Sequence, residues 1–260
     1  MKEENAQKMQ LHEMNPLDRF SDRVEDYVKY RPSYPKDAIA YIISSLKTSA
    51  PVIADVGAGT GISSRLLAEF NSIRVIAIEP NAEMRKAAAP HPSIEFRDGT
   101  AEATNLADNQ VDLVTCFQSF HWFNPILTLP EFHRILKRDG RLAIVWNTRD
   151  RNDQFTAKYS SLVRKASNNH PGEKRSDAIQ PFLESPLFVN LRQSIFPDRQ
   201  KLDLAGLIGR AMSTSYIPKS GEAYEELISD LQHLFENYCD EDGFVSLVYQ
   251  TEVYLGEPIY

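Results

Sequence analysis

The stretch VIADVGAGTGISSRLLAEF, Val52 to Phe70, decides the fold. Val52–Val56 reads as an apolar strand, a loop follows with glycine at Gly57, Gly59 and Gly61, and a helix then starts with Ile62, Leu66 and Phe70 on one face. Glycine at every second position strips the loop of side chains, so a ligand can lie against the main chain. The helix start beyond it offers N–H groups that have no intrahelical partner. The pattern predicts a small molecule cradled where a strand turns into a helix.

Outward from this unit, apolar runs alternate with helical periodicities. Strands are predicted at Ile73–Ile78, Ile94–Phe96, Val111–Phe117 and Leu142–Trp146, and helices at Asp37–Leu46, Asn81–Ala89 and Leu129–Lys137. Such alternation predicts a parallel sheet with helices on both faces. From Thr148 to His170 the chain turns polar and mostly helical, and beyond it the sequence is punctuated by Pro171, Pro181, Pro186 and Pro197. The segment 148–193 therefore reads as an insertion or lid. Two late strands are predicted, Leu191–Phe196 and Phe244–Leu255, with a helix between them that carries Leu227, Leu231 and Leu234 on one stripe. The expected organisation is a disordered 1–15, then one domain over 16–260 that begins with a cap at 16–36.

At 260 residues the chain can bury one sizeable core, and 42% hydrophobic with 25% charged residues is ordinary for a globular enzyme. A net charge of −7 argues against a broad nucleic-acid surface. Cys116 and Cys239 lie far apart and outside any CxxC pair, so neither a disulfide framework nor a metal site is expected, and a reducing, cytoplasmic setting fits. The charged start, with Lys2, Glu3, Glu4 and Lys8, lacks a secretory signal pattern, and no apolar run approaches the roughly 20 residues of a membrane span. No membrane partner is expected.

A dinucleotide loop would read G-x-G-x-x-G, but its third glycine would fall on Ile62. The spacing is instead G-x-G-x-G, preceded by Asp55. The string D-V-G-A-G-T-G resembles the first motif of class I S-adenosylmethionine (SAM)-dependent methyltransferases. That resemblance implies a Rossmann-like α/β fold, a seven-stranded mostly parallel sheet in the order 3-2-1-4-5-7-6 with an antiparallel last strand. It implies SAM as cofactor and S-adenosylhomocysteine (SAH) as product. Asp55 would accept from the cofactor's ammonium, and Gly57, Ala58, Gly59 and Gly61 would lie along its methionine and ribose portions. Glu79, eighteen positions after Gly61 and followed by Pro80, would receive the ribose hydroxyls. Gly99–Thr100–Ala101–Glu102 resembles the third motif, with Thr100 where many relatives carry aspartate. Adenine recognition then falls to the Thr100 hydroxyl, to Asp98 or to Glu102, with main-chain contacts from Ala101. Glu131–Gly140 resembles the helix and turn before the fifth strand, with Gly140 as the helix stop.

Two further strings narrow the resemblance. Phe20–Tyr27, continued by Tyr30–Pro35, and FQSFHWF at Phe117–Phe123 are similar to the trans-aconitate methyltransferase-like branch of the methyltransferase type 11 family. In such a cap Tyr27 and Tyr30 either cover the cofactor's sulfonium or pack between helix and sheet. Arg31 holds either the cofactor's carboxylate or an acidic group of the substrate. Phe117 and Gln118 fall where a parallel sheet opens at its carboxyl edge, beside the cofactor. His121 is the candidate general base, or else a structural histidine beside Trp122. Together with Trp122, Trp146 and Tyr216 it is a candidate for the substrate pocket. The implied reaction is methyl transfer to a small molecule at an oxygen such as a carboxylate, which needs no base. Alternatives are a protein methyltransferase or a non-catalytic SAM-binding protein. A nucleic-acid amino-methyltransferase would carry N-P-P-Y where this chain reads Phe117–Phe120.

Overall fold

The computed structural model describes residues 28–170 and 176–260. The expectations for 1–15, for most of the cap and for Tyr27 lie outside the described residues. The strands are β1 (Val52–Val56), β2 (Arg74–Ile78), β3 (Ile94–Arg97), β4 (Val111–Phe117), β5 (Leu136–Arg149), β6 (Phe188–Leu202) and β7 (Val245–Pro258). They form one sheet in the order β3-β2-β1-β4-β5-β7-β6, as the resemblance implies. The five N-terminal strands pair in parallel, and β7 runs antiparallel to both β5 and β6.

The inner strands read as continuous apolar runs because both sheet faces are covered. Ala54, Ile76, Val114 and Ile144 point to one side, against Phe132 and Ile135 of α4 (Pro125–Ile135). Ile53, Val75, Leu113 and Val145 point to the other, against Ile39 of α1 (Lys36–Ser44) and Leu67 of α2 (Ile62–Ala68). Within α2 the deeply buried residues are Ser63, Ser64 and Leu67, while Ile62, Leu66 and Phe70 flank the core. The predicted stripe is thus rotated by one position, and two serines face inward. The short helix α3 (Ala82–Ala87) is capped by Asn81, whose side chain accepts from the N–H groups of Glu83 and Met84.

Gly140 is not a helix stop. Helix α4 starts at Pro125 under an Asn124 cap and ends at Ile135, because Leu136 is captured at once by Val111 of β4. The register then jumps to Leu113 opposite Arg141, so the extra residues of β5 bulge out and Gly140 sits where a Cβ would lie 2.8 Å from the Lys137 carbonyl. Strand β6 also extends well past its predicted ends. It tolerates Pro197 because it is the edge strand, where a missing N–H costs no ladder bond.

The last β5–β7 pair is Arg149 with Tyr249, yet β6 and β7 stay paired out to Leu202 and Val245. This overhanging ribbon carries α7 (Leu204–Met212) and α8 (Glu222–Tyr238), which close with α5 (Gln154–Ala166) around a third core of Tyr159, Leu207, Leu231 and Leu247. The lid-like layer therefore draws on 203–244 as well as on α5 and the short α6 (Gln180–Leu183) within 148–193. Among the described residues, no helix is long and apolar enough to cross a membrane.

Candidate active site

Strand order reverses between β1 and β4, and a crevice opens there at the carboxyl ends of the strands. The glycine loop fills one side of it. Gly57 has φ of 71°, and a Cβ on it would stand 2.6 Å from the Ser119 Cβ, so no other residue lets the loop pass the end of β4. Gly57 and Ala58 donate their N–H groups to the Ile78 carbonyl at 2.9 and 3.2 Å, which ties the loop to β2.

Asp55 lies behind this loop and does not face the cavity. It is 1% exposed. Its Oδ2 accepts from Ser63 Oγ at 2.7 Å and Ser64 Oγ at 2.6 Å, and its Oδ1 accepts from Thr115 Oγ1 at 2.8 Å. Burial lifts its pKa above the ordinary value, and the three hydroxyls oppose that shift. The contacts the structure gives Asp55 are internal: it ties β1 to β4 and to the first turn of α2. Ser63, Ser64 and Thr115 carry no motif, and the one available signal was a pair of serines where an apolar helix face belongs.

Glu79 closes β2 and is 8% exposed. Its Oε2 accepts from Gly59 N at 2.8 Å and its Oε1 from Asn81 N at 2.9 Å. Burial raises its pKa, against the pull of those two N–H groups and of Arg85. A carboxylate has about four acceptor positions, so these N–H groups leave two over, although Glu79 is not among the residues that line the cavity across the loop. Pro80 comes next, its carbonyl accepting from Arg85 at 2.8 Å. Glu102 is committed elsewhere, since its Oε1 accepts from Asn124 N at 2.9 Å and holds the start of α4. The Thr100 hydroxyl closes a local turn by accepting from Ala103 N at 3.2 Å, and Ala101 is buried. Asp98, paired with Arg85 at 3.0 Å, is the exposed acid of the three adenine candidates.

Across the loop lies a cavity of about 820 Å³, walled by Gly57, Ala58, Phe117, Gln118, Trp146 and Tyr216. Gln118 leaves β4 with φ of 54° and donates from Nε2 to the Asn147 carbonyl at 3.0 Å. Asn147 in turn donates to the Ser33 carbonyl at 2.8 Å and accepts from Thr251 at 2.7 Å, pinning the N-terminal segment to the sheet. Arg31 lines the cavity and donates to the Ser213 carbonyl at 2.8 Å, bridging that segment to the lid. Tyr30 does not line it. Its ring packs on Gly209 of α7, where a Cβ would come within 2.2 Å.

His121 and Trp122 sit in a 3-10 turn at Phe120–Trp122, with ring centroids 4.9 Å apart. His121 is buried behind Trp146, its Nδ1 accepting from the indole N–H at 3.3 Å. Neither His121 nor Trp122 lines the cavity, whereas Trp146 and Tyr216 both do. His121 therefore orients an indole at the wall, and the structure does not place it as a general base.

Apart from Arg31, the charges of the wall were missed in the sequence. Arg31, Arg149, Arg151, Arg164 and Arg210 line the cavity, against Asp150 and Glu252. Both acids accept from neutral donors: Asp150 from Gln250 at 3.3 Å, Glu252 from Thr148 and Tyr254 at 2.7 Å each. Among the described residues the wall thus holds five arginines and two acids, drawn from positions too scattered to form a motif. Among the described residues, no group of three or more His, Cys, Asp or Glu could hold a metal ion.

A sheet of this order, with a glycine loop after β1 and an acid closing β2, is that of the Rossmann-like class I SAM-dependent methyltransferases. The chain belongs to the methyltransferase domain family, type 11, whose model matches residues 54–144. It is 30% identical to an uncharacterized methyltransferase of Schizosaccharomyces pombe over 225 residues, covering 84% of this chain and 87% of the relative. A methyltransferase-like protein of the same yeast is 30% identical over 252 residues, 95% of this chain and 98% of the relative. In fold it is similar to a structure from Anaeromyxobacter dehalogenans proposed as a type II methyltransferase, with a TM-score of 0.68, 19% identity, and coverage of 88% and 98% of the two chains. The protein is a SAM-dependent methyltransferase.

Proposed function

We propose that this enzyme methylates a small anionic acceptor at a carboxylate oxygen. The observation that carries the reading is the arginine-lined cavity lying directly against the glycine loop. The residues present fit SAM. A Cβ is excluded at Gly57, leaving bare main chain beside the cavity, and Glu79 keeps two acceptor positions. Glu79 would hold the ribose hydroxyls, the main chain from Gly57 to Gly61 the methionine portion, and Arg31 either the cofactor's carboxylate or the acceptor's. Asp98 and the main chain at Ala101 would meet the adenine.

When bound, SAM would supply a methyl carbon activated by a sulfonium leaving group, and an acceptor oxygen held beside the glycine loop could take that methyl. An ionised carboxylate gives up no proton in that step, which accords with His121 lying behind Trp146. The chain's own contribution is orientation and dryness. Arginines fix a carboxylate by paired N–H donors, and the lid over the strand ends keeps water from the charges that cancel as the bond forms. The similarity of Phe117–Phe123 to the trans-aconitate methyltransferase-like branch supports an acid acceptor, and we place the chain there. One buried and one exposed free cysteine, Cys116 and Cys239, suit a reducing cytoplasm.

Calorimetric titration with SAM, SAH and NAD, then transfer of labelled methyl to a panel of carboxylic acids and their amides, tests the reading. Micromolar binding of both sulfur ligands and alkali-labile label in the acids but not the amides is the expected result. Label confined to proteins or to amines would overturn it.

A further inference from the structure

One arginine of the wall stands apart. Arg210 belongs to α7 and is 8% exposed, yet it lines the cavity. Its Nε donates to Tyr249 Oη at 3.2 Å, and its Nη1 donates to Ser213 Oγ and Thr214 Oγ1 at 3.4 Å each. All three partners are neutral. Among the described residues, no carboxylate lies within ion-pair distance of Arg210 and no protein group accepts from its Nη2. A guanidinium cannot shed its proton at any physiological pH. Buried charges in proteins are paired, because removing one from water without a counter-ion is costly. Among the described residues no counter-ion is present, and Arg210 forms part of the cavity wall.

Resting on the acceptor reading above, we propose that Arg210 is the centre of an anion subsite in the lid, holding a second acidic group of the acceptor that is not methylated. The acceptor is then at least a diacid. One acid group receives the methyl beside the glycine loop, and the other neutralises Arg210, with the Thr214 hydroxyl at its flank. Because α7 belongs to the third core and not to the two cores under the cofactor loop, docking at Arg210 also secures the lid helix over the site.

Two properties separate this role from a structural one. Ser213 Oγ also donates to the Arg210 carbonyl at 2.8 Å, and Tyr249 Oη donates to Gln200 Oε1 at 3.4 Å, so these hydroxyls keep partners without the guanidinium. Arg210→Met then removes an uncompensated charge at similar volume, and the melting temperature of the ligand-free protein holds or rises.

The test titrates malonate, succinate, glutarate and adipate, each beside its half-amide, into protein saturated with SAH, and tracks hydrogen exchange of Leu204–Met212. At least one diacid binds tenfold or more tightly than its half-amide and slows exchange in α7, and Arg210→Met reduces that preference to within twofold. Absence of SAH binding sinks the methyltransferase site itself. SAH binding with no preference for any diacid overturns the subsite alone, as does a preference that survives Arg210→Met or protection that spares α7 in the wild-type protein. If Arg210→Met does not fold, the wild-type titration and exchange pattern decide.

Discussion

Asp55→Asn and Asp55→Ala together distinguish a loop anchor from a cofactor ligand. In the anchor, two serine hydroxyls converge on Oδ2 and the threonine hydroxyl meets Oδ1. Asparagine keeps this arrangement: its carbonyl oxygen accepts from both serines, and its amide donates to Thr115, whose hydroxyl turns to accept. Only charge assistance is lost, a cost of about 1 kcal/mol once the relief of burying an ionised group is set against it. Alanine removes every acceptor. Ser63 and Ser64 can turn back to helix carbonyls, but Thr115 inside β4 is left unpaired, at about 1–3 kcal/mol, beside a small void. For a chain of this size about 3 kcal/mol is a fall of roughly 6–12 °C in melting temperature, against roughly 2–4 °C for asparagine.

Affinity carries the sharper distinction. If Asp55 only shapes the loop, Asp55→Asn binds SAM and SAH within about threefold of wild type, while Asp55→Ala, with α2 no longer tied to β1, loses more than about tenfold. Calorimetry and scanning fluorimetry on the same preparations read both quantities. A direct ion pair to the cofactor's ammonium would instead cost Asp55→Asn at least about 2 kcal/mol of binding, or thirtyfold, with little change in melting temperature. That result would refute the anchor.

Gly57→Ala puts a Cβ 2.6 Å from Ser119 Cβ on a residue with φ of 71°, so we expect SAM affinity to drop by more than about tenfold, measured by calorimetry. Gly209→Ala drives a Cβ into the Tyr30 ring at 2.2 Å, an overpacking of about 1–3 kcal/mol. Adding Tyr30→Ala should recover part of that loss, so thermal melts of the double mutant fall short of the sum of the singles. Asp55 and Glu79 both hold their protons to higher pH than in the unfolded chain, because burial raises each pKa. The stability these two groups contribute to the ligand-free protein is thus fully present below the ordinary carboxylate range and is lost as pH climbs through the raised values. Melts between about pH 4 and 7 should show this fall, and Glu79→Gln should flatten it.

The sheet was legible because its information is local. Continuous apolar runs at β1, β2 and β4 mean strands covered on both faces, and D-V-G-A-G-T-G marks the strand-to-helix turn at the switch point. The acid at Glu79 was legible for the same reason, being the last residue of such a run. What could not be read depended on partners distant in sequence. Whether Asp55 faces a ligand or three hydroxyls turns on Thr115, sixty residues away. His121 reads as a base until Trp146, on the next strand, is found donating to it. Leu136 leaves its predicted helix because Val111 pairs with it, a competition that periodicity cannot register. The arginines of the wall come from the segment before α1, the end of β5, α5 and α7, and only the folded ribbon brings them together.

The two halves of the site rest on different cores, and this explains how one chain can hold a fixed cofactor and a particular acceptor. The glycine loop, Asp55 and Glu79 are set by strand ends that two buried layers clamp from both faces. Arg164 and Arg210 sit on α5 and α7, helices that build the third core, and Tyr216 packs against it; α7 is carried on the β6–β7 ribbon after it has outrun β5. Changes in that core alter the acceptor wall without moving β1, β2 or β4, because sites that share no packed neighbours respond nearly independently. The Arg31 bridge to Ser213, the Asn147 bridge to Ser33 and the bond from Gln200 to the Tyr30 carbonyl tie the halves through the N-terminal segment. That segment is therefore a route by which acceptor docking in the lid would be felt at the cofactor loop.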